Sequence, residues 1–152
     1  MRAILLSLTL VFFVFGCKDA TPAAATEPAP AEKADAPEQA EPAISEISVA
    51  DADKAIQSGA IAVDANSERT RKKNGTVPNA IILTSSSKYE LSQLPDDKSK
   101  DLIFYCSNTR CTASDSAAER ASENGYENVH IMREGIKGWA DAGKATAPYP
   151  QS

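Results

Sequence analysis

From Ile44 onward, short apolar runs alternate with segments whose apolar residues recur at helical spacing. Ser45 to Ser48 reads as a short extended opening. Ser48-Val49-Ala50-Asp51 starts a helix, with Ser48 as N-cap and an acid three places on. That helix turns Ala52, Ala55 and Ile56 inward and stops at Gly59. Ala60-Ile61-Ala62-Val63 is an unbroken apolar run ending at Asp64, the pattern of a buried parallel strand. A polar stretch, Ala65 to Gly75, follows. Val77-Pro78-Asn79-Ala80 leads into a further strand, Ile81-Ile82-Leu83, and Ser85 to Leu94 has room for a short helix. Asp101 to Tyr105 reads as the central strand. After a polar loop, Ser114 caps a helix running through Ala117, Ala118 and Ala121 to Asn124, which Gly125 ends. Val129 to Met132 is the next strand. Gly135 to Ala142 is a last short helix carrying Trp139, closed by Gly143.

Strands alternating with helices predict one α/β domain, residues 44–148, with a mainly parallel central sheet and helices on both faces. In such sheets ligands sit beyond the carboxyl ends of the strands. Cys106 falls at that edge.

The N-terminal part reads differently. Met1-Arg2 is a positive start, Ala3 to Phe15 is almost continuously apolar, and Gly16-Cys17 follows. This layout resembles a bacterial lipoprotein signal peptide over residues 1–16, with Cys17 lipidated as the new N-terminus. Residues 17–43 are dominated by Ala, Pro and Glu and carry no aromatic residue. Such a composition buries too little surface to offset its ordering entropy, so it reads as an extended tether. Residues 149–152 form a short tail. The expected location is the cell envelope, lipid-anchored and facing the periplasm or exterior, with the outer membrane as the default. Export implies an oxidising compartment. The chain carries a net charge of −5 and has no basic patch with interleaved aromatics, which excludes nucleic acid as a partner. With a single His there is no His-cluster metal site.

Two of the three cysteines lie in Phe104-Tyr105-Cys106-Ser107-Asn108-Thr109-Arg110-Cys111-Thr112. Cys106 leaves a buried strand and enters a loop that runs into a helix N-terminus. Backbone N–H groups and the helix's partial positive charge both favour a thiolate there. Ser107, Asn108, Thr109 and Thr112 let the loop curl closely around the sulfur, and Arg110 offers a cation to an anionic substrate. Cys111 is either a redox partner for Cys106 or a loop residue turned into the core. The same two readings hold for Cys106 itself, a nucleophile or a small buried apolar residue. Asp64 reads as structural, through a hydrogen bond to nearby backbone. His130 and Trp139 also read as structural, and Ser85-Ser86-Ser87 as a loop or cap.

The order of these segments resembles the rhodanese family. The residues that carry the resemblance are Val63-Asp64, Gly75-Thr76-Val77-Pro78-Asn79-Ala80, Tyr105-Cys106 with its loop, Ala117-Ala118, Gly125-Tyr126, and Glu134-Gly135-Ile136-Lys137-Gly138-Trp139. The resemblance implies a single rhodanese-like domain acting as a sulfurtransferase. Cys106 would take sulfane sulfur from a donor such as thiosulfate as a persulfide, held by the amides of Ser107 to Thr112. A thiol or cyanide would then accept it. No metal or organic cofactor is implied. The partners implied are a small sulfur-containing anion or thiol and a periplasmic thiol reductant. The departures bear on the donor rather than the fold. Asn66 stands where the family has Arg, so its Asp–Arg pair is missing or rebuilt with Arg69 or Arg71. Thr76 replaces a His and Glu134 a Gly, and the active loop lacks its usual Gly. The alternative is a non-catalytic rhodanese-fold module that binds a partner or senses redox state through Cys106 and Cys111. A phosphatase loop would place Arg where Cys111 stands, which argues against phosphatase chemistry.

Overall fold

The structure is a computed structural model that describes residues 44–150. The expected signal peptide, the Cys17 lipidation site, the tether and residues 151–152 lie outside the described residues. Five strands form one sheet: β1 (Ser45–Glu46), β2 (Ile61–Asp64), β3 (Ile81–Ile82), β4 (Asp101–Tyr105) and β5 (Asn128–Met132). Their spatial order is β1-β5-β4-β2-β3, and every neighbouring pair is parallel. Four α-helices connect them: α1 (Val49–Gln57), α2 (Glu68–Asn74), α3 (Ala113–Glu123) and α4 (Gly135–Asp141).

β4 is central because all but its first residue are buried, so both of its faces need cover. Alternate residues serve the two faces. Leu102 and Phe104 join Val63, Val129 and Ile131 in a core with Ala117, Ala118 and Ala121 of α3. Ile103 and Tyr105 join Ala62 and Met132 in a second core with Val49 and Ala52 of α1 and Ile136 and Trp139 of α4. Helices therefore cover both faces, as the sequence predicts. The three α3 alanines are fully buried, and their small side chains bring the helix axis close to the sheet. Trp139 anchors α4 by donating its indole N–H to Ala145 O at 2.8 Å.

Local signals explain the boundaries. Ser48 Oγ accepts the Asp51 N–H at 3.2 Å, the cap expected for α1. Val77-Pro78-Asn79-Ala80 closes a turn through Ala80 N–H to Val77 O at 3.2 Å, with Asn79 at φ +60. Proline second and a left-handed Asn third is the arrangement of a type II turn. One element went unassigned in the sequence and two expectations need correction. The polar stretch Ala65–Gly75 contains α2, capped by Ser67 and ended by Gly75 at φ +74. Ser85–Leu94 holds no α-helix, only a 3₁₀ turn at Leu91–Gln93, because its one fully buried side chain, Tyr89, binds α3 through Ala117 O. Thr112, not Ser114, precedes the first residue of α3.

α2 has no apolar face, and its only buried residue is Arg71. Arg71 Nε donates to Asp64 Oδ1 at 3.1 Å, and its Nη2 donates to Asp64 O at 3.0 Å and Leu83 O at 2.9 Å. Asp64 Oδ1 also accepts the Asn66 N–H at 2.7 Å, and Oδ2 accepts the Tyr105 hydroxyl at 2.8 Å. Asp64 is wholly buried. Removing one member of a buried ion pair strands the other charge and typically costs about 3–5 kcal/mol. Arg71→Ala is therefore expected to lower unfolding free energy by about that amount in urea titration, with Arg71→Lys between it and wild type. A loss below about 1 kcal/mol would reduce the pair to the weight of a surface ion pair.

Candidate active site

Cys106 follows β4 directly at the carboxyl edge of the sheet, and the loop it opens ends at α3. Four hydrogen bonds shape this loop. Asn108 Oδ1 accepts the Arg110 N–H and Asn108 O accepts the Cys111 N–H, both at 3.0 Å, folding the chain back on itself. From the other side α4 takes the loop's carbonyls: Ile136 N–H donates to Cys106 O at 2.8 Å and Lys137 N–H to Ser107 O at 3.1 Å. Gly135 makes this approach possible. Its φ is +62, and a Cβ there would lie 2.7 Å from Ser107 C and 2.8 Å from Asn108 N.

The peptide plane then fixes where the amides point. In a trans peptide the C=O and the next N–H face opposite ways. Tying Cys106 O to α4 turns the Ser107 N–H the other way, where it donates to the Cys111 sulfur. The Ala113 N–H at the head of α3 donates to the same sulfur, as does the Ser107 hydroxyl. Cys106 Sγ meets different partners. It lies 3.3 Å from Ser114 Oγ, receives the Ser114 N–H, and donates to Cys111 O at 3.1 Å. Both cysteines are free, with no disulfide between them, and the two thiols influence each other's acidity.

The two sulfurs thus differ electrostatically. Burial pushes the Cys106 thiol up, and its contact with Cys111 adds to that; Ser114 opposes the rise without reversing it. Burial also acts to raise Cys111, but the donated bonds from Cys106, Ser107 and Ala113 outweigh it and hold Cys111 below the ordinary thiol value. Exposure follows the same order: Cys106 is 1% exposed and Cys111 is half-buried.

The other predicted residues take distinct places. Ser107 and Asn108 are half-buried in the loop wall, whereas Thr109, Arg110 and Thr112 are exposed. Asp64 lies beneath the site as the acceptor of Arg71 and Tyr105, and Arg71 rather than Arg69 supplies the cation. His130 is on β5, held by Ser45 Oγ at 2.6 Å. Beside the loop a cleft of about 430 Å³ is lined by Lys73, Asn74, Ser107, Asn108, Ile136 and Lys137. Two residues of the site were not read from the sequence as contributors. Ser114 was read as a helix cap, and only the β4–α3 loop's closure brings it to Cys106. Asn66 follows Ala65, whose N–H binds Tyr105 O, and its buried Nδ2 has no partner among the described residues. A polar residue directly after the β2 strand end was the available signal for it. No cluster of three or more His, Cys, Asp or Glu that suits a metal occurs among the described residues.

A parallel α/β domain with a cysteine loop between its central strand and the following helix defines a class. The sequence profile of the rhodanese-like domain matches residues 48–142, and the chain belongs to that family. Similar solved structures include the BH2092 protein of Bacillus halodurans, with 23% identity over 68% of this chain and 77% of that one, at a TM-score of 0.59. A rhodanese-related protein of Thermoplasma volcanium shares 21% identity over 69% and 99% of the two chains, with a TM-score of 0.58. A Rhodopseudomonas palustris protein of unknown function, described as a possible tyrosine phosphatase, shares 23% over 68% and 85%, with a TM-score of 0.56. These likenesses speak to the fold alone. No curated protein matches significantly.

Gly135→Ala tests the loop's support. The added methyl meets loop backbone at a φ that disfavours L side chains, so a loss of roughly 2–4 kcal/mol is expected in urea titration. The cysteines should also alkylate faster as the loop moves away from α4. Stability within roughly 0.5 kcal/mol of wild type would show that the contact is not tight.

Proposed function

We propose that this domain is a sulfurtransferase that takes sulfane sulfur from a small anionic donor onto its Cys106/Cys111 loop and passes it to a thiol. The observation that carries this reading is the placing of two free thiols at the head of α3, with Cys106 Sγ 3.1 Å from Cys111 O and 3.3 Å from Ser114 Oγ. A thiolate attacks the outer sulfur of a donor such as thiosulfate, a new S–S bond forms, and sulfite leaves with the electron pair of the broken bond. The anionic persulfide needs donors around it, which the amides and the N-terminal end of α3 supply. The step asks only that the attacking group be a thiolate, and the donated bonds that lower the Cys111 thiol favour that form. The cleft beside Ser107 carries Lys73 and Lys137 on its walls, with Asp141, also on its wall, paired to Lys137.

Phosphoryl chemistry fits less well. The place where a phosphatase loop carries its arginine is occupied by Cys111, whose sulfur faces Cys106. The setting we propose is the cell envelope, with a lipid on Cys17 and residues 17–43 as the tether. A thiol reductant of that compartment would keep the pair reduced.

Trypsin separates the two cysteines, because cleavage after Lys100, Arg110 and Arg120 puts Cys106 on peptide 101–110 and Cys111 on peptide 111–120. The reduced full-length chain, treated with thiosulfate without oxygen and digested under acid quench, is expected to show one of these peptides heavier by one sulfur atom or the two joined by a disulfide. Cyanide added first should remove any added sulfur. A chain that takes up no sulfur from thiosulfate, polysulfide or an organic persulfide, and forms no disulfide with them, would end the sulfurtransferase reading.

A further inference from the structure

The family resemblance puts the sulfur on the cysteine that ends the central strand, but the geometry of the loop ranks the two thiols in the opposite order. Cys106 Sγ lies under the loop, enclosed by Ser114 Oγ at 3.3 Å and Cys111 O at 3.1 Å, and the residue is 1% exposed. A donor arriving from solvent meets Cys111 first. The Cys111 sulfur also holds most of the amides expected around a reacting sulfur, from Ser107 and Ala113, together with the Ser107 hydroxyl. Cys106 in turn donates its thiol proton to the Cys111 backbone oxygen at 3.1 Å, which holds the two residues against each other.

We propose that Cys111 is the thiol that attacks sulfane sulfur and that the buried Cys106 then displaces that sulfur as hydrosulfide, making the domain a sulfane-sulfur reductase. The proposal rests on the sulfur-transfer reading above and changes its outcome. In the first step the Cys111 thiolate attacks the outer sulfur of thiosulfate and sulfite leaves, giving a Cys111 persulfide. In the second, Cys106 Sγ attacks Cys111 Sγ. The Cys106–Cys111 bond forms, and the bond from Cys111 to the terminal sulfur breaks. The leaving sulfur takes the electron pair and the Cys106 proton and departs as hydrosulfide. The two cysteines lose two electrons, and the sulfane sulfur gains them.

The internal thiol wins over a free acceptor because it is already in contact, which is worth a large effective concentration. Ser114 has a purpose here: its hydroxyl and N–H stabilise the Cys106 sulfur as its proton departs. The resulting disulfide blocks further turnover until a dithiol protein of the same compartment reduces it. That reductant must attack Cys111, the exposed sulfur, leaving Cys106 as the departing thiol.

The test uses the purified full-length chain and the tryptic peptides that separate the cysteines. With limiting iodoacetamide at neutral pH, the Cys111 peptide is expected to be alkylated at least about tenfold faster than the Cys106 peptide. Equal rates or the reverse order would overturn the assignment of the attacking thiol. With one equivalent of thiosulfate under anaerobic conditions, wild type should give one equivalent of sulfide and the two peptides joined by a disulfide. Cys106→Ser, and Cys106→Ala as a second variant, should stop with the extra sulfur on the Cys111 peptide and release no sulfide. Cys111→Ser should take up no sulfur. A stable persulfide on Cys106 in wild type, or undiminished uptake by Cys111→Ser, overturns this proposal while leaving sulfur transfer standing. A wild type that takes up sulfur from no donor overturns both.

Discussion

The buried ion pair between Asp64 and Arg71 is the constraint on which the carboxyl edge of the sheet depends. Asp64 ends β2, Arg71 comes from α2, Leu83 follows β3 and Tyr105 ends β4, and one hydrogen-bonded group joins all four. Tyr105 passes the connection on by accepting the Val77 N–H at 3.0 Å. Its phenol is held neutral, since burial and the adjacent Asp64 carboxylate both push it up. Isolated, either charge would be very unfavourable at this depth, and the pair is tolerated because every oxygen of the carboxylate has a donor. The residue after Tyr105 is Cys106. The edge that carries the cysteine loop is thereby fixed by the buried group of Asp64, Arg71 and Tyr105.

Much of this architecture is written in the sequence where apolar residues decide the structure. The runs at 60–63 and 101–105 are strands because unbroken apolar segments between polar caps can only be buried on both faces. α1 announces itself through Ser48 and Gly59. α2 is invisible to the same reasoning, because its one inward residue is charged and its partner lies seven residues earlier. The departure at Asn66 hinted at a rebuilt pair, yet only the three-dimensional register distinguishes Arg71 from the exposed Arg69. Ser85–Leu94 fails in the other direction: its composition permits a helix, and the burial of Tyr89 under α3 overrides it.

The cysteine loop was legible as a place in the fold and only partly in its internal geometry. A cysteine at a strand end before a helix is a local pattern, and it located the loop. The ranking of its two sulfurs is not local. It depends on Gly135, some thirty residues away in the chain, letting α4 take the Cys106 carbonyl and so orient the Ser107 amide. It depends also on Asn108 closing the turn that brings Cys111 back over Cys106. Neither residue carries a charge or a reactive atom, so a search for chemistry passes over both.

One consequence concerns why the loop tolerates two thiols. A single thiol in a cradle of amides stores a persulfide and must wait for an acceptor. On the proposed reading two neighbouring thiols, one buried and pushed up, the other half-buried and pushed down, divide the work of nucleophile and resolver between them. Burial, usually a disadvantage for a reacting thiol, is what keeps Cys106 from competing for the donor. Contact then makes it the first acceptor available. The same enclosure that makes Cys106 a poor nucleophile towards solvent makes it an effective one towards its neighbour.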